Sequence, residues 1–117
     1  MEDCIFCKIA KGEISSENFI YEDEDFVAFL DVNPKTEGHT LVIPKNHFNT
    51  FMDLDEDTSC KYLEVIKKVG KILMEKYNAS AFNVFLNNGK EAGQVVDHVH
   101  FHLLPRKEGD GKIKFVK

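Results

Sequence analysis

Residues 98–105 read His-Val-His-Phe-His-Leu-Leu-Pro, and this alternation constrains the fold more than any other stretch of the chain. A strand has period two, so His98, His100 and His102 share one face while Val99, Phe101 and Leu103 take the other, where they can pack on a core. Same-face side chains lie roughly 6.5–7 Å apart along a strand, so three imidazoles can share one site without all binding one atom. A solvated face would draw Thr, Lys and Glu instead. The chain has only five histidines, and placing three of them together suits acid, base, nucleophile or metal work, because imidazole titrates nearest neutrality.

The rest of the chain supplies a sheet for that strand and a helix to cover it. Residues 4–12, Cys-Ile-Phe-Cys-Lys-Ile-Ala-Lys-Gly, read as a short helix or turn ending at Gly12. Residues 19–22 and 26–31 read as two strands joined by the polar turn 22–25, a β-hairpin. Asn33-Pro34 breaks the pattern, and residues 39–43 form a third strand stopped by Pro44. A long helix opens near Leu54, with Asp53 or Asp55 as its cap and acidic residues opposing the helix dipole. Leu63, Ile66, Val69, Gly70, Leu73 and Tyr77 follow the helical spacing and form its buried stripe, with Gly70 permitting close approach of a neighbouring backbone. Asn78 is the stop. Residues 82–87 are a fourth strand, 88–94 a glycine-bracketed loop, and 95–104 a fifth strand ended by Pro105. The expected class is α+β: a five-stranded antiparallel sheet, one long helix and one short N-terminal helix.

Length and charge narrow the partners. With 117 residues the chain is read as a single domain, residues 1–117, with one real core. A formal net charge of −5 argues against nucleic acid as the main partner, which needs a basic footprint. It leaves room for a small phosphate ligand held by a local cluster of His, Lys and backbone N–H groups. No basic leader precedes an apolar run and no run is long enough for a membrane span. The expectation is a cytoplasmic protein, reaching the nucleus in a eukaryotic cell. Three cysteines make a disulfide framework a poor reading. Cys4-x-x-Cys7 matches half of a tetrahedral zinc site, a redox pair, or two small core residues on a helix; the redox reading lacks the preceding strand and βαβ frame it needs.

Two chemistries compete for the histidines. They bind a catalytic metal, as His-x-His on a strand with a distant third ligand often does. Otherwise one is a nucleophile that its neighbours support; two cysteines and two histidines would then close a structural Cys2His2 site and leave the others free.

The sequence His98-x-His100-x-His102-Leu103-Leu104 resembles the signature of the histidine triad (HIT) family. The resemblance continues through Asn87-x-Gly89-x-x-x-Gly93-Gln94, through Gly38-His39-Thr40-Leu41-Val42-Ile43-Pro44-Lys45-x-His47, through Phe29-Leu30-Asp31-Val32-Asn33-Pro34, and through Cys4-Ile5-Phe6-Cys7-Lys8-Ile9. It covers nearly the whole chain in order. It implies a HIT-like fold and a hydrolase or nucleotidyl transferase acting at the α-phosphate of purine nucleoside phosphoramidates or related adenylates. By this resemblance His100 is the nucleophile that forms a nucleotidyl-histidine, and His102 and His39 flank the phosphate. Asn87 and Gln94 add neutral donors, and Asp31 accepts from the ribose hydroxyls. Phe6, Ile9, Ile14, Phe29 and Val32 form the slot for the base of a purine nucleotide such as AMP or GMP. Relatives with the N-terminal C-x-x-C hold zinc at positions matching Cys4, Cys7, His47 and His98, which assigns His98 to structure. A homodimer joined through the long helix and the fourth strand is also implied.

Two residues depart from the family pattern. Val95 stands beside the nucleotide site where many relatives carry Ser or Thr, so no hydroxyl is there to donate to a leaving group. Asp97 precedes the triad where an aromatic residue or Lys is frequent; its charge either raises the pKa of nearby histidines or faces solvent. Glu91-Ala92-Gly93-Gln94 and Leu104-Pro105-Arg106-Lys107 resemble the fragile-histidine-triad branch, which cleaves dinucleoside polyphosphates, whereas Asn87 and the C-x-x-C favour the Hint-like phosphoramidase branch. A non-catalytic nucleotide-binding module is the competing reading from another class.

Overall fold

The computed structural model of the chain describes residues 4–13 and 18–111. Among them five strands form one sheet: β1 (Phe19–Glu22), β2 (Phe26–Leu30), β3 (Thr40–Pro44), β4 (Ala81–Leu86) and β5 (Phe101–Arg106). Their spatial order is β1-β2-β3-β5-β4, and every neighbouring pair is antiparallel. A short helix, α1 (Ile5–Ala10), and a long one, α2 (Glu56–Lys76), complete the α+β architecture.

The central strands are apolar on both faces, and their alternation divides the core in two. Phe26, Ala28 and Val42 point toward α2, where they meet Tyr62, Val65, Ile66, Val69 and Leu73. Val27, Phe29, Leu41 and Ile43 point the other way, against Phe6 of α1. Val99 and Leu103 join the α2 side. His102 therefore faces the α1 side, as period two requires, and the rings of His98 and His100 meet Phe6 of α1 edge to face.

The ends of α2 follow its sequence. Asp55 is the N-cap, its carboxylate accepting the Thr58 N–H at 2.7 Å, with Glu56 and Asp57 in the first turn. Asp53 instead caps the preceding 3-10 turn, Phe51–Asp53, where it accepts the Thr50 N–H. At the C-terminus Asn78 takes φ +53°, and the Ala79 N–H reaches back to the Met74 carbonyl at 2.9 Å, a left-handed stop of the Schellman kind.

Several expectations shift. The buried stripe begins at Tyr62, whose hydroxyl donates to the Val42 carbonyl, while Leu63 is 61% exposed. The aromatic ring fits the crowded position because its polar end finds a backbone acceptor. Gly70 seats a side chain and not a backbone: a Cβ there would lie 2.4 Å from Cζ of Phe82. Pro44 and Pro105 are the last and penultimate residues inside β3 and β5 instead of stops beyond them; Pro105 lies past Leu103, the last β5 residue paired with β3.

The largest correction concerns the fifth strand, which begins at Phe101 and not at Val95. Val42 pairs with Phe101, so the same register would put Pro44 opposite Val99. Proline has no N–H for a ladder. The Val99 N–H goes instead to the Phe48 carbonyl at 2.8 Å, and residues 94–100 run on as irregular chain. His98 and His100 thus precede the strand and only His102 lies in it.

Candidate functional site

His100 is buried, and its Nδ1 lies 2.8 Å from the His98 carbonyl oxygen. A carbonyl only accepts, so Nδ1 carries the proton and Nε2 keeps its lone pair. His102 sits beside it, with ring centroids 5.1 Å apart. On its other side His102 stacks on Phe85, its cross-strand partner on β4, at 4.4 Å and 4°. His102 Nδ1 lies 2.9 Å from Nε2 of His39, which enters from the residue before β3. Asp31 completes the group, with Oδ2 3.5 Å from the same His39 nitrogen. Burial pushes all of these imidazoles toward the neutral form: His102 falls to about 3, and His39 and His100 shift down. Asp97 is solvent-exposed, and its neighbour His98 is depressed to about 4, chiefly by burial.

The His100 and His102 rings border a cavity of about 480 Å³. Phe6, Ile9, Phe29, Asp31, Val32 and Val95 line it. Its aromatic wall is stacked edge to face, Phe6 on Phe29 at 5.5 Å and Phe6 on His100 at 5.2 Å. Val32 and Val95 are 84% and 87% exposed, so apolar side chains stand at its mouth. Ile14 lies outside the described residues. Phe19, Leu41 and Val96 also line the cavity, and in the sequence they read as ordinary strand residues.

Asn87 and Gln94 do not border this cavity. The Gln94 amide is turned inward. Its Nε2 donates to the Asn49 and Val96 carbonyls at 2.6 and 2.9 Å, and its Oε1 accepts the Gly89 N–H at 2.8 Å. Both donor hydrogens are thereby committed to the backbone, and Gln94 fastens the loop that carries Val95.

A second cluster lies at the other end of the histidine row. The thiols of Cys4 and Cys7 and the Nδ1 atoms of His47 and His98 all lie within 4.8 Å of one another. The Cys4–His98, Cys7–His47 and Cys7–His98 separations are 3.3, 3.2 and 3.6 Å. A tetrahedral zinc with its usual bond lengths requires sulfur–nitrogen edges of about 3.5 Å. The ring protons also fit a metal. His98 Nε2–H donates to the Pro44 carbonyl at 2.8 Å, and His47 Nε2–H to Asn49 Oδ1 at 2.6 Å, so both Nδ1 lone pairs face the sulfurs. Asn49 was missed from sequence; an amide two residues after a histidine carries no signal of its own. The four residues can hold a metal, and a Cys2His2 set with no open position suits a structural ion.

Asp31, His39 and His102 also lie close enough together for a cation. There the two nearest nitrogens are already joined by a hydrogen bond at 2.9 Å.

Known proteins share this arrangement of sequence and fold. Residues 11–109 match the HIT domain family. An uncharacterised HIT-like protein of Methanocaldococcus jannaschii is 48% identical over 110 residues, covering 94% of this chain and 84% of that one. The adenosine 5'-monophosphoramidase HNT1 of Candida albicans is 46% identical over 109 residues, covering 90% and 71%. Among solved structures, a zinc-bound histidine triad family protein from Mycobacterium smegmatis superposes with a TM-score of 0.86 at 39% identity, covering 93% of this chain and 78% of that one. With its triad, its sheet order and its match across residues 11–109, this chain belongs to the HIT domain family.

Proposed function

We propose that this protein is a nucleotide-binding hydrolase that cleaves purine nucleoside phosphoramidates, or related adenylates, at the α-phosphate. The observation that carries the reading is the His100–His98 hydrogen bond, which leaves a neutral imidazole with its Nε2 lone pair on the wall of a cavity large enough for a ligand. The base occupies the slot between Phe6, Ile9, Phe29 and Val32, and the ribose hydroxyls donate to Asp31. His100 Nε2 attacks the α-phosphorus, a phosphorus–nitrogen bond to the imidazole forms, and the bond to the leaving amine breaks. His102 donates to the phosphate oxygens as their charge builds. Val95, at the mouth, has no proton to give, so the departing nitrogen takes its proton from solvent. Water then attacks the nucleotidyl-histidine, releasing the nucleoside monophosphate and restoring the imidazole. The phosphoramidase relative HNT1 supports this substrate class.

In the same reading zinc at Cys4, Cys7, His47 and His98 is structural, and it supplies a cross-link between the N-terminal helix and the segment before β5. The protein acts as a homodimer through α2 and the edge strand β4, where Leu63 and Val84 are 61% and 41% exposed. No helix among the described residues is long and apolar enough to cross a membrane.

Turnover of adenosine phosphoramidate compared with diadenosine tetraphosphate tests the reading, with rapid-quench trapping of the intermediate. Faster cleavage of the phosphoramidate through an acid-labile adenylyl-histidine is expected. Preference for the tetraphosphate would move the protein to the polyphosphate-cleaving branch, and nucleotide binding without turnover of either would make it a binding module.

A further inference from the structure

His102 Nε2 is buried and has no hydrogen-bond partner among the described residues. Whether it carries a proton or a lone pair depends on which ring nitrogen is protonated, and the surrounding chain answers that at one remove. The Lys35 backbone N–H lies 3.0 Å from His39 Nδ1. A backbone amide only donates, so His39 Nδ1 is the acceptor and the proton of the neutral ring sits on Nε2. That proton points at His102 Nδ1, 2.9 Å away, which must then be the acceptor. The proton of neutral His102 is left on Nε2.

We propose that the turn between β2 and β3 is a positioning device, in which the Lys35 amide acts through His39 to fix the Nε2–H tautomer of His102, whose ring borders the cavity. Lys35 is a positioning residue through its backbone; its exposed ammonium also disfavours the charged forms of His39 and His102, so Lys35→Ala is the reference for Lys35→Pro in the test below. The turn is built to hold the amide in place. The Asp31 N–H bonds the His39 carbonyl at 2.9 Å, closing the turn at its base. Inside it the Asn33 N–H bonds Asp31 Oδ1 at 3.1 Å, and the His39 N–H bonds the Thr36 carbonyl at 3.1 Å. The same relay disposes of the cation that Asp31, His39 and His102 otherwise invite. A metal on His39 Nε2 would move the proton to Nδ1, where it would meet the Lys35 N–H head on, donor against donor.

His100 and His102, whose rings border one cavity, thus carry opposite character at Nε2: a lone pair held by the His98 carbonyl, and a donor held through His39 by a backbone amide. The inference rests on the proposed function only in giving that donor a phosphate to meet; the protonation pattern stands on the hydrogen bonds alone.

Long-range proton–nitrogen NMR of the ring nitrogens, on the full metal-loaded chain near neutral pH, reads the pattern directly. His39 and His102 are expected as neutral Nε2–H tautomers. A His102 ring protonated on Nδ1 would overturn the proposal, whatever the enzyme's substrate. Lys35→Pro removes the amide proton. Relative to Lys35→Ala, it is expected to turn His102 into a mixture of tautomers and to lower kcat about tenfold with KM within about twofold, since losing a single transition-state donor outright costs about 10²–10³. In a His39→Gln background, which has no ring to relay the amide, adding Lys35→Pro should leave both readouts where adding Lys35→Ala puts them. A further loss of the same size there would mean that the turn acts structurally, and would sink the relay. Absence of any phosphoramidate turnover by the wild-type chain would count against the proposed function and leave the NMR result to decide the relay.

Discussion

The carbonyl of His98 accepts the Nδ1 proton of His100 at 2.8 Å, while the ring of His98 turns its own Nδ1 toward Cys4 and Cys7. Two residues apart, one side chain faces the thiols and the other faces the cavity, and a single backbone group of the first sets the protonation of the second.

Removing the His100 ring separates chemistry from binding. His100→Ala is expected to lower phosphoramidate turnover roughly 10⁴-fold or more, the scale seen when a covalent nucleophile is deleted. Affinity for AMP, measured by calorimetry, should stay within a few-fold because the slot is formed by other side chains. Retention of a tenth of wild-type turnover would exclude His100 as the nucleophile.

The thiol–imidazole cluster predicts one zinc per chain by elemental analysis, and none in Cys4→Ser/Cys7→Ser. A ligand present at a hundred times its dissociation constant stabilises a fold by about 2.7 kcal/mol. Loss of the metal should therefore lower the melting temperature by on the order of 10 °C. Carefully prepared wild-type protein that contains no metal and melts like the double variant would exclude the site.

Buried neutral histidines make stability depend on pH in a defined direction. His102 has an ordinary imidazole value of 6.5 when unfolded and about 3 when folded, chiefly because burial disfavours its charge. The unfolded chain therefore binds the proton first. The stabilisation is complete above pH 6.5 and is lost progressively as pH falls toward about 3. Denaturant midpoints of wild type and His102→Gln, compared from pH 8 to 4, should show the wild type losing stability more steeply below pH 6.5, by up to about 1.4 kcal/mol per pH unit. Parallel curves would show that His102 is as readily protonated when folded as when unfolded.

Gly70→Ala should destabilise the fold even though alanine is the better helix former by about 1 kcal/mol. The new methyl would meet the Phe82 ring at 2.4 Å, and overpacking of this kind costs typically about 1–3 kcal/mol. Chemical denaturation should show a net loss of about 1 kcal/mol, recovered in part by Phe82→Leu. A stabilised Gly70→Ala would show that the ring moves aside freely.

Much of the fold and the candidate site is legible in the alternation and punctuation of the chain. The two faces of residues 98–103, the Asp55 cap and the Asn78 stop all follow from local rules that the tertiary structure leaves intact. What fails is what depends on a distant partner. The fifth strand begins late because Pro44, more than fifty residues upstream, occupies the register opposite Val99. The α2 stripe takes Tyr62 in place of Leu63 because the Val42 carbonyl is there to receive a hydroxyl, which an apolarity count does not weigh. Gln94 reads as a donor for a ligand, but the carbonyls of Asn49 and Val96 reach it first. The protonation of each histidine is likewise set by carbonyls and amides, which every residue type carries and no motif reveals.

Helix α1 is six residues long, too short to hold its shape in water unaided. Its second and third residues face in two directions: Phe6 forms a wall of the cavity, and Cys7 belongs to the thiol–imidazole cluster. Ordering that one turn serves both places at once, so a metal that fastened Cys7 would also lower the entropy cost of seating a ligand against Phe6. By reciprocity a ligand seated there would tighten the hold of the four residues on such a metal by the same factor. A metal held by Cys7 and a ligand seated against Phe6 would thus be linked through a single helical turn, and the state of the cysteines would enter the affinity of the cavity.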